Sequence, residues 1–280
     1  MKKLIITADD YGMSPAVNQA IDEGIAAGLI TSTNVMMNMP VCNEAVRLKD
    51  TAASVGLHWV LATGKPVLPK EKVPSLVAEN GVFHAYPVFR ERYRKGLIRD
   101  DEIKSELLAQ YERYVDLMGA PDYWNTHENV HVDFKIFDLF VDLAVQLGIR
   151  RMRSHQRIYV PGSGNSSDRS LLWRLTEPLK SQILNHWQRN AHKKGELSPE
   201  GRIATLNCKD DGDPAYLFSH IRWGNHEIGE FVIHPAVECD SPYFGDISDK
   251  RIREYRLFTA DSTKRVLQEA GIELVTYLEL

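Results

Sequence analysis

The chain of 280 residues is 43% hydrophobic and 26% charged, which excludes a disordered chain, a collagen-like fibre and a coiled-coil rod. Its formal net charge of −4, with no long basic run, disfavours nucleic acid as a partner. A chain this long buries roughly 75% of its unfolded surface, so stability needs neither disulfides nor a structural metal.

Short apolar runs alternate with longer helical patterns. Residues 4–7 read as a buried strand. Ser14-Pro15 then opens a helix, serine as N-cap and proline at the first helical position, and Gly28 closes it. Strands follow at 33–37 and 54–60. An amphipathic helix covers 100–118, with Ile103, Leu107, Leu108, Tyr111 and Val115 on one stripe. A fourth strand spans 123–126, a helix runs from Phe134 to Leu147, and Arg151 to Arg153 start a fifth strand. Residues 161–167 are a loop by composition. A helix over 170–191, a strand at 203–207 and a helix over 214–223 come next. A strand at 229–233, a helix over 250–270 broken near Thr259, and a strand at 273–276 complete the series. Strands separated by helices predict the α/β class and a parallel sheet. Eight of them predict a single β/α-barrel, TIM-barrel-like, over 1–280, with a variable segment at about 160–207. An open doubly wound sheet is the alternative, but no GxGxxG follows a strand.

Cys42, Cys208 and Cys239 are odd in number, widely spaced and without a CxxC, which predicts reduced thiols and a cytoplasmic protein. The apolar run after Lys2 and Lys3 is too short for a signal segment. No stretch is long and apolar enough for a membrane span.

The chemistry-bearing residues fall at strand ends. Asp9 and Asp10 follow the first strand, His58 ends the third, His127 and His131 follow the fourth, and His234 follows the seventh. Barrel enzymes build their sites at the C-terminal ends of strands, so one shared mouth is predicted. Adjacent side chains at a strand end point apart, so one aspartate can meet a metal while the other addresses a water. The plainer alternative is a helix cap beside a solvated carboxylate. His58, in Gly56-Leu57-His58-Trp59, is a ligand or a core histidine. His127-Glu128-Asn129-Val130-His131 formally fits HExxH, yet that motif needs a helix, and here it follows a short strand with Asn125 and Thr126 as an exit loop. His127 therefore reads as a loop ligand, with His131 one layer behind it or at the substrate. His234-Pro235 offers an imidazole for acid or base work near neutral pH. A mixed carboxylate and imidazole set suits zinc, iron, manganese or cobalt better than magnesium. No GxSxG is present for a serine hydrolase.

Thr7-Ala8-Asp9-Asp10-Tyr11-Gly12, Thr31-Ser32-Thr33, Gly56 through Pro66, Thr126 through His131 and His234-Pro235-Ala236 together resemble the YdjC-like carbohydrate deacetylases. The likeness runs from Lys3 to Tyr277 and is weakest between about 160 and 207. It implies a barrel hydrolase that removes acetyl groups from N-acetylated sugars such as chitooligosaccharides. It implies one divalent ion, Mg2+ in the family and Zn2+ or another transition ion from the donor set. By position, Asp10, His58 and His127 are similar to the family's ligands, Asp9 to its general base and His234 to its general acid. Asn125 stands where the family usually has aspartate, and Asn129 where it usually has histidine. Arg153 either binds sugar hydroxyls, tunes Asp9, or lies on the surface. Trp59, Tyr11 and Tyr243 stack on sugar rings or pack the core. The expected partner is a small carbohydrate and the expected assembly a homodimer, with no nucleic acid and no membrane. The rival readings are a metal-dependent isomerase or phosphoesterase on the same barrel, for which only Gly162 and Gly164 offer a weak phosphate loop, and a sugar-binding protein that has lost its chemistry.

Overall fold

The first strand organises the molecule. In the computed structural model, which describes residues 1–133, 136–160, 171–204, 213–244 and 247–280, β1 (Lys2–Tyr11) is buried without a break from Leu4 onward. Burial on both faces is the mark of a parallel strand covered on both sides. It pairs in parallel with β2 (Ser32–Val35), β7 (Ile228–Ile233) and β8 (Ile272–Leu274). With β3 (Ser54–Trp59), β4 (Trp124–Thr126), β5 (Arg157–Tyr159) and β6 (Gly201–Ala204), the order is β4-β3-β2-β1-β7-β6-β5, and β8 sits beside the start of β1. The helices are α1 (Pro15–Ala26), α2 (Tyr86–Arg94), α3 (Asp100–Met118), α4 (Phe137–Gln146), α5 (Leu171–Lys193), α6 (Pro214–Ser219), α7 (Ser248–Leu257) and α8 (Asp261–Glu269). Parallel neighbours require crossovers, and the helices supply most of them. The result is the β/α-barrel variant, a curled parallel sheet wrapped by helices.

The expected fifth strand at Arg151–Arg153 is a correction. Those residues make only isolated bridges, Met152 to Trp124 and Arg151 to Leu197, and the strand proper begins at Arg157. The bridges span the gap between β4 and the segment entering β6, so this stretch draws the sheet's two ends together at its base. The helix expected over 214–223 stops at Ser219, and that over 250–270 divides into α7 and α8 around Thr259. The loop at 161–167, Phe134 and the end of the strand at 203–207 lie outside the described residues.

Local signals explain the helix ends. Ser14 caps α1 by accepting from the Val17 N–H at 3.3 Å, with Pro15 behind it. Gly28 follows at φ +69°, the left-handed turn that glycine adopts without penalty. α3 matches its expected bounds, but its stripe is rotated. Leu108 and Val115 are exposed, while Glu106 and Gln110 are buried. Glu106 accepts from the Val67 and Leu68 N–H groups, and Gln110 bonds both backbone groups of Val60. These polar side chains satisfy the loop leaving β3, which an apolar stripe cannot do. No helix among the described residues is long and apolar enough to cross a membrane.

Gly56 shows how tightly the base is packed. A Cβ there would lie 2.6 Å from the Tyr123 ring, which stacks on Tyr277 at 3.8 Å and accepts from Ser32 Oγ at 2.9 Å. Gly56→Ala is expected to cost about 1–3 kcal/mol through overpacking, read as a lowered denaturation midpoint with an unchanged slope in urea.

Candidate active site

The site begins with an irregularity in β1. Ala8 lies opposite Thr33 and Tyr11 opposite Val35, so Asp9 and Asp10 together face Asn34 alone. This is a β-bulge, and Asp10 holds φ +79° within it. A bulge re-aims side chains beside a site, and a non-glycine residue in the left-handed region is costly unless its surroundings hold it. Asn34 is the fastening: its amide donates to Asp9 Oδ1 at 2.6 Å, and its carbonyl accepts the Asp10 N–H at 3.4 Å.

The two carboxylates then diverge. Asp10 Oδ1 lies 3.0 Å from His127 Nδ1 and 3.4 Å from His58 Nε2, while its Oδ2 accepts from Arg251 Nη2 at 2.6 Å. Burial pushes this carboxyl upward, but the Arg251 and His127 charges outweigh it and hold it well below the usual range. Burial opposes the charge on His127, yet Asp10 prevails and raises that ring's pKa. His58 Nε2 is buried with no hydrogen-bond partner. One donor atom from each of Asp10, His58 and His127 lies within 4.8 Å of the others, and among the described residues this is the group that meets that condition. A carboxylate oxygen and two imidazole nitrogens, one of them orphaned, fit a divalent ion held by three protein ligands with an open position.

Asp9 is held differently. Arg153 reaches both its oxygens, Nη1 to Oδ2 at 2.7 Å and Nη2 to Oδ1 at 2.6 Å, and turns its Nε to Glu230 at 3.1 Å. Burial raises the Asp9 pKa, but this two-pronged contact drives it far below the carboxylate range. His234 Nε2 stands 3.8 Å from Asp9 Oδ2 and its backbone N–H donates to Glu254 at 2.7 Å. Burial lowers the ring pKa to about 4, against the pull of Asp10 and Asp9. A cleft of about 380 Å³ opens here, with Asp10, His127, His234, Arg202 and Tyr243 among its walls.

Residues 3–269 match the YdjC-like protein family. The chain belongs to that family. A carbohydrate deacetylase of Geobacillus stearothermophilus is 34% identical over 283 residues, covering 98% of this chain and 96% of its own. A chitooligosaccharide deacetylase of Salmonella typhimurium is 34% identical over 280 residues, covering 99% and 98%. The solved structure of an Enterococcus faecalis protein, provisionally ascribed cellobiose-phosphate cleavage, superposes with a TM-score of 0.76 at 26% identity over 99% of this chain and 98% of its own.

In this YdjC-like protein, Asp9, Asp10, His58, His127 and His234 meet in one cleft. Arg153 is buried and grips Asp9, so it is not a surface arginine. Trp59 takes the core-packing alternative. Alternation along β3 sends His58 to the cleft and Trp59 to the opposite side. There it is fully buried against Trp124 and Phe140, donating to the Leu107 carbonyl at 3.0 Å, out of reach of a sugar. Tyr11 is buried as well and donates to Asp22, whereas Tyr243 lines the cleft. His131 is likewise off the cleft wall, in the layer behind it. It is buried between Thr126 Oγ1 at 2.5 Å and His155 Nε2 at 2.6 Å. His127–Asn129 form a short 3-10 turn with Glu128 at φ +54°. No helix aims the two rings at one point, and the HExxH spacing is formal only.

Four contributors escape the sequence reading: Asn34, Glu230, Arg251 and Glu254. Glu230 carried a signal, a carboxylate inside an otherwise apolar strand, which demands a buried partner. Arg251 carries no such signal, since its helix has charges at several other positions.

Two histidines with lowered pKa, His131 and the partly exposed His234, make stability depend on pH. Burial lowers His131 to about 3 and His234 to about 4, whereas an unfolded ring titrates near 6.5. Between these values the unfolded chain binds protons that the folded chain refuses, so the contribution of these two rings is complete above about 6.5 and falls as the pH drops toward 4. Urea unfolding across this window is expected to show that loss, with a shallower slope in His131→Asn.

Proposed function

We propose that this YdjC-like protein is a carbohydrate deacetylase that hydrolyses the acetamido group of N-acetylated sugars, chitooligosaccharides being the substrate class. The observation that carries the reading is the meeting, in one cleft, of the Asp10, His58 and His127 donor set with the Asp9 and His234 pair. The names of the two relatives above support the reaction class. Asp10, His58 and His127 would hold one divalent cation: family resemblance favours Mg2+, and two imidazoles favour Zn2+ or another transition ion. When bound, such an ion supplies Lewis acidity to the acetyl carbonyl and makes water more acidic.

Hydrolysis joins the water oxygen to the acetyl carbon and breaks the C–N bond, so one proton must travel from water to the departing amine. Asp9 and His234 stand 3.8 Å apart and can carry it between them. Asp9 remains ionised across the neutral range and is thus always in its accepting form. Its basicity is weak because Arg153 holds it, so it keeps a proton only briefly. His234, neutral at pH 7 with a pKa of about 4, is the stronger base of the two, and the leaving amine is stronger again. The proton therefore runs downhill from Asp9 to His234 to the amine. Arg153 fixes the carboxylate in place, and Tyr243 offers an exposed ring for a sugar face.

Chelator treatment is expected to abolish acetate release from N-acetylated chitooligosaccharides, whereas an isomerase or phosphoesterase would release none at any metal content. Asp10→Ala, His58→Ala and His127→Ala are each expected to lower bound metal and activity together, measured by elemental analysis and acetate assay. Full occupancy in all three would overturn the ligand set.

Asp9→Asn is expected to lose roughly 10²–10⁴ in rate while keeping its metal. His234→Ala is expected to harm the sugar amide far more than an acetyl ester with a phenolate leaving group, which departs without a proton. Equal losses on the two substrates would move the acid role elsewhere.

A further inference from the structure

Asn125 of β4 stands directly across from His58 of β3 and joins the two halves of the site. One arm of its amide lies 2.5 Å from His58 Nδ1. The other arm lies 2.9 Å from Arg153 Nη2, 3.3 Å from Arg153 Nη1 and 3.0 Å from Asn34 Nδ2. Those three nitrogens can only donate. The residue is 1% exposed, so solvent cannot take over any of these contacts. An amide has a carbonyl on one arm and an N–H on the other. Arg153 and Asn34 also donate to Asp9, but an NH2 turned toward them would face three donors within 3.3 Å, so the orientation free of that clash puts the carbonyl toward them and the N–H toward His58.

That orientation decides the histidine. If Asn125 donates to Nδ1, a neutral ring carries its proton on Nε2, the buried atom with no hydrogen-bond partner 3.4 Å from Asp10 Oδ1. An ion at Nε2 needs the lone pair there and the proton on Nδ1, fixed by an acceptor. Asn125 can become that acceptor only by turning over, which points its NH2 at the Arg153 and Asn34 donors.

We propose that Asn125 holds His58 in its Nε2–H form until the ion binds. Binding then moves the ring proton from Nε2 to Nδ1, with no net release, and reverses the Asn125 amide. Asn125 is a positioning residue. It weakens the site for its metal and links metal uptake to the Arg153 grip on Asp9. This rests on the proposal that His58 is a ligand. A carboxylate at position 125 would accept from His58 Nδ1–H and from Arg153 together and would need no reversal.

The test is the nitrogen-15 spectrum of the His58 ring in the full chain after chelation and after adding Zn2+, with His58→Gln for assignment. The wild type is expected to carry the proton on Nε2 before Zn2+ and on Nδ1 after it. Asn125→Asp is expected to carry it on Nδ1 in both states and to bind Zn2+ about 10-fold more tightly by calorimetry. Added charge alone would raise affinity without moving the proton. A wild-type ring already protonated on Nδ1 before Zn2+ overturns the proposal, as does unchanged affinity in a folded Asn125→Asp. If that variant fails to fold, the wild-type spectra decide. Undiminished Zn2+ binding in His58→Gln would instead overturn the ligand assignment, and the spectrum before Zn2+ would still report the tautomer.

Discussion

Two neighbouring carboxylates in a buried strand would ordinarily repel and compete for the same partners. The left-handed backbone at Asp10 prevents this by turning consecutive side chains into separate environments, each with its own guanidinium. Arg251 takes one oxygen of Asp10 and leaves the other facing two imidazoles. Arg153 takes both oxygens of Asp9 and shares itself with Glu230. A buried charge is tolerable only when paired and hydrogen-bonded, and here the pairing also determines which carboxylate faces an ion and which faces a proton. The bulge is costly, and Asn34 helps to offset that cost by bonding both residues within it.

No local stretch of chain contains this arrangement. The aspartates come from β1, the imidazoles from the ends of β3, β4 and β7, Arg153 from the stretch after β4, and Arg251 from α7. The barrel brings them together because parallel strands all deliver their C-terminal ends to one side. The cleft is therefore as precise as the register between strands. A slip of one residue in β3 would exchange His58 for Trp59.

What could be read from the sequence follows from this. Positions at strand ends were legible, because apolar runs are local and the residue after each run is visible: Asp9, Asp10, His58, His127 and His234 were found in this way. So was α3, whose bounds are set by residues within it. The facing of Trp59 follows from alternation once His58 is assigned to the cleft. Asn34, Glu230 and Arg251 depend on pairing across long separations, which no short window contains. The bulge was invisible for the same reason, since it is a mismatch between two strands and belongs to neither alone. Arg151–Arg153 alternates charged and apolar side chains as a strand start can, but its neighbours allow only isolated bridges.

The seating of β8 against the foot of β1 has a consequence for how the chain is assembled. Lys2 pairs with Ile272, and Leu4 with Leu274. Contacts this distant in sequence close slowly, because almost the whole polypeptide must be gathered first. During synthesis β1 precedes every other strand of the sheet, yet β8, which flanks it, follows all of them. The aspartates at its far end are likewise made before Asn34, Arg153 and Arg251, the side chains that hold them.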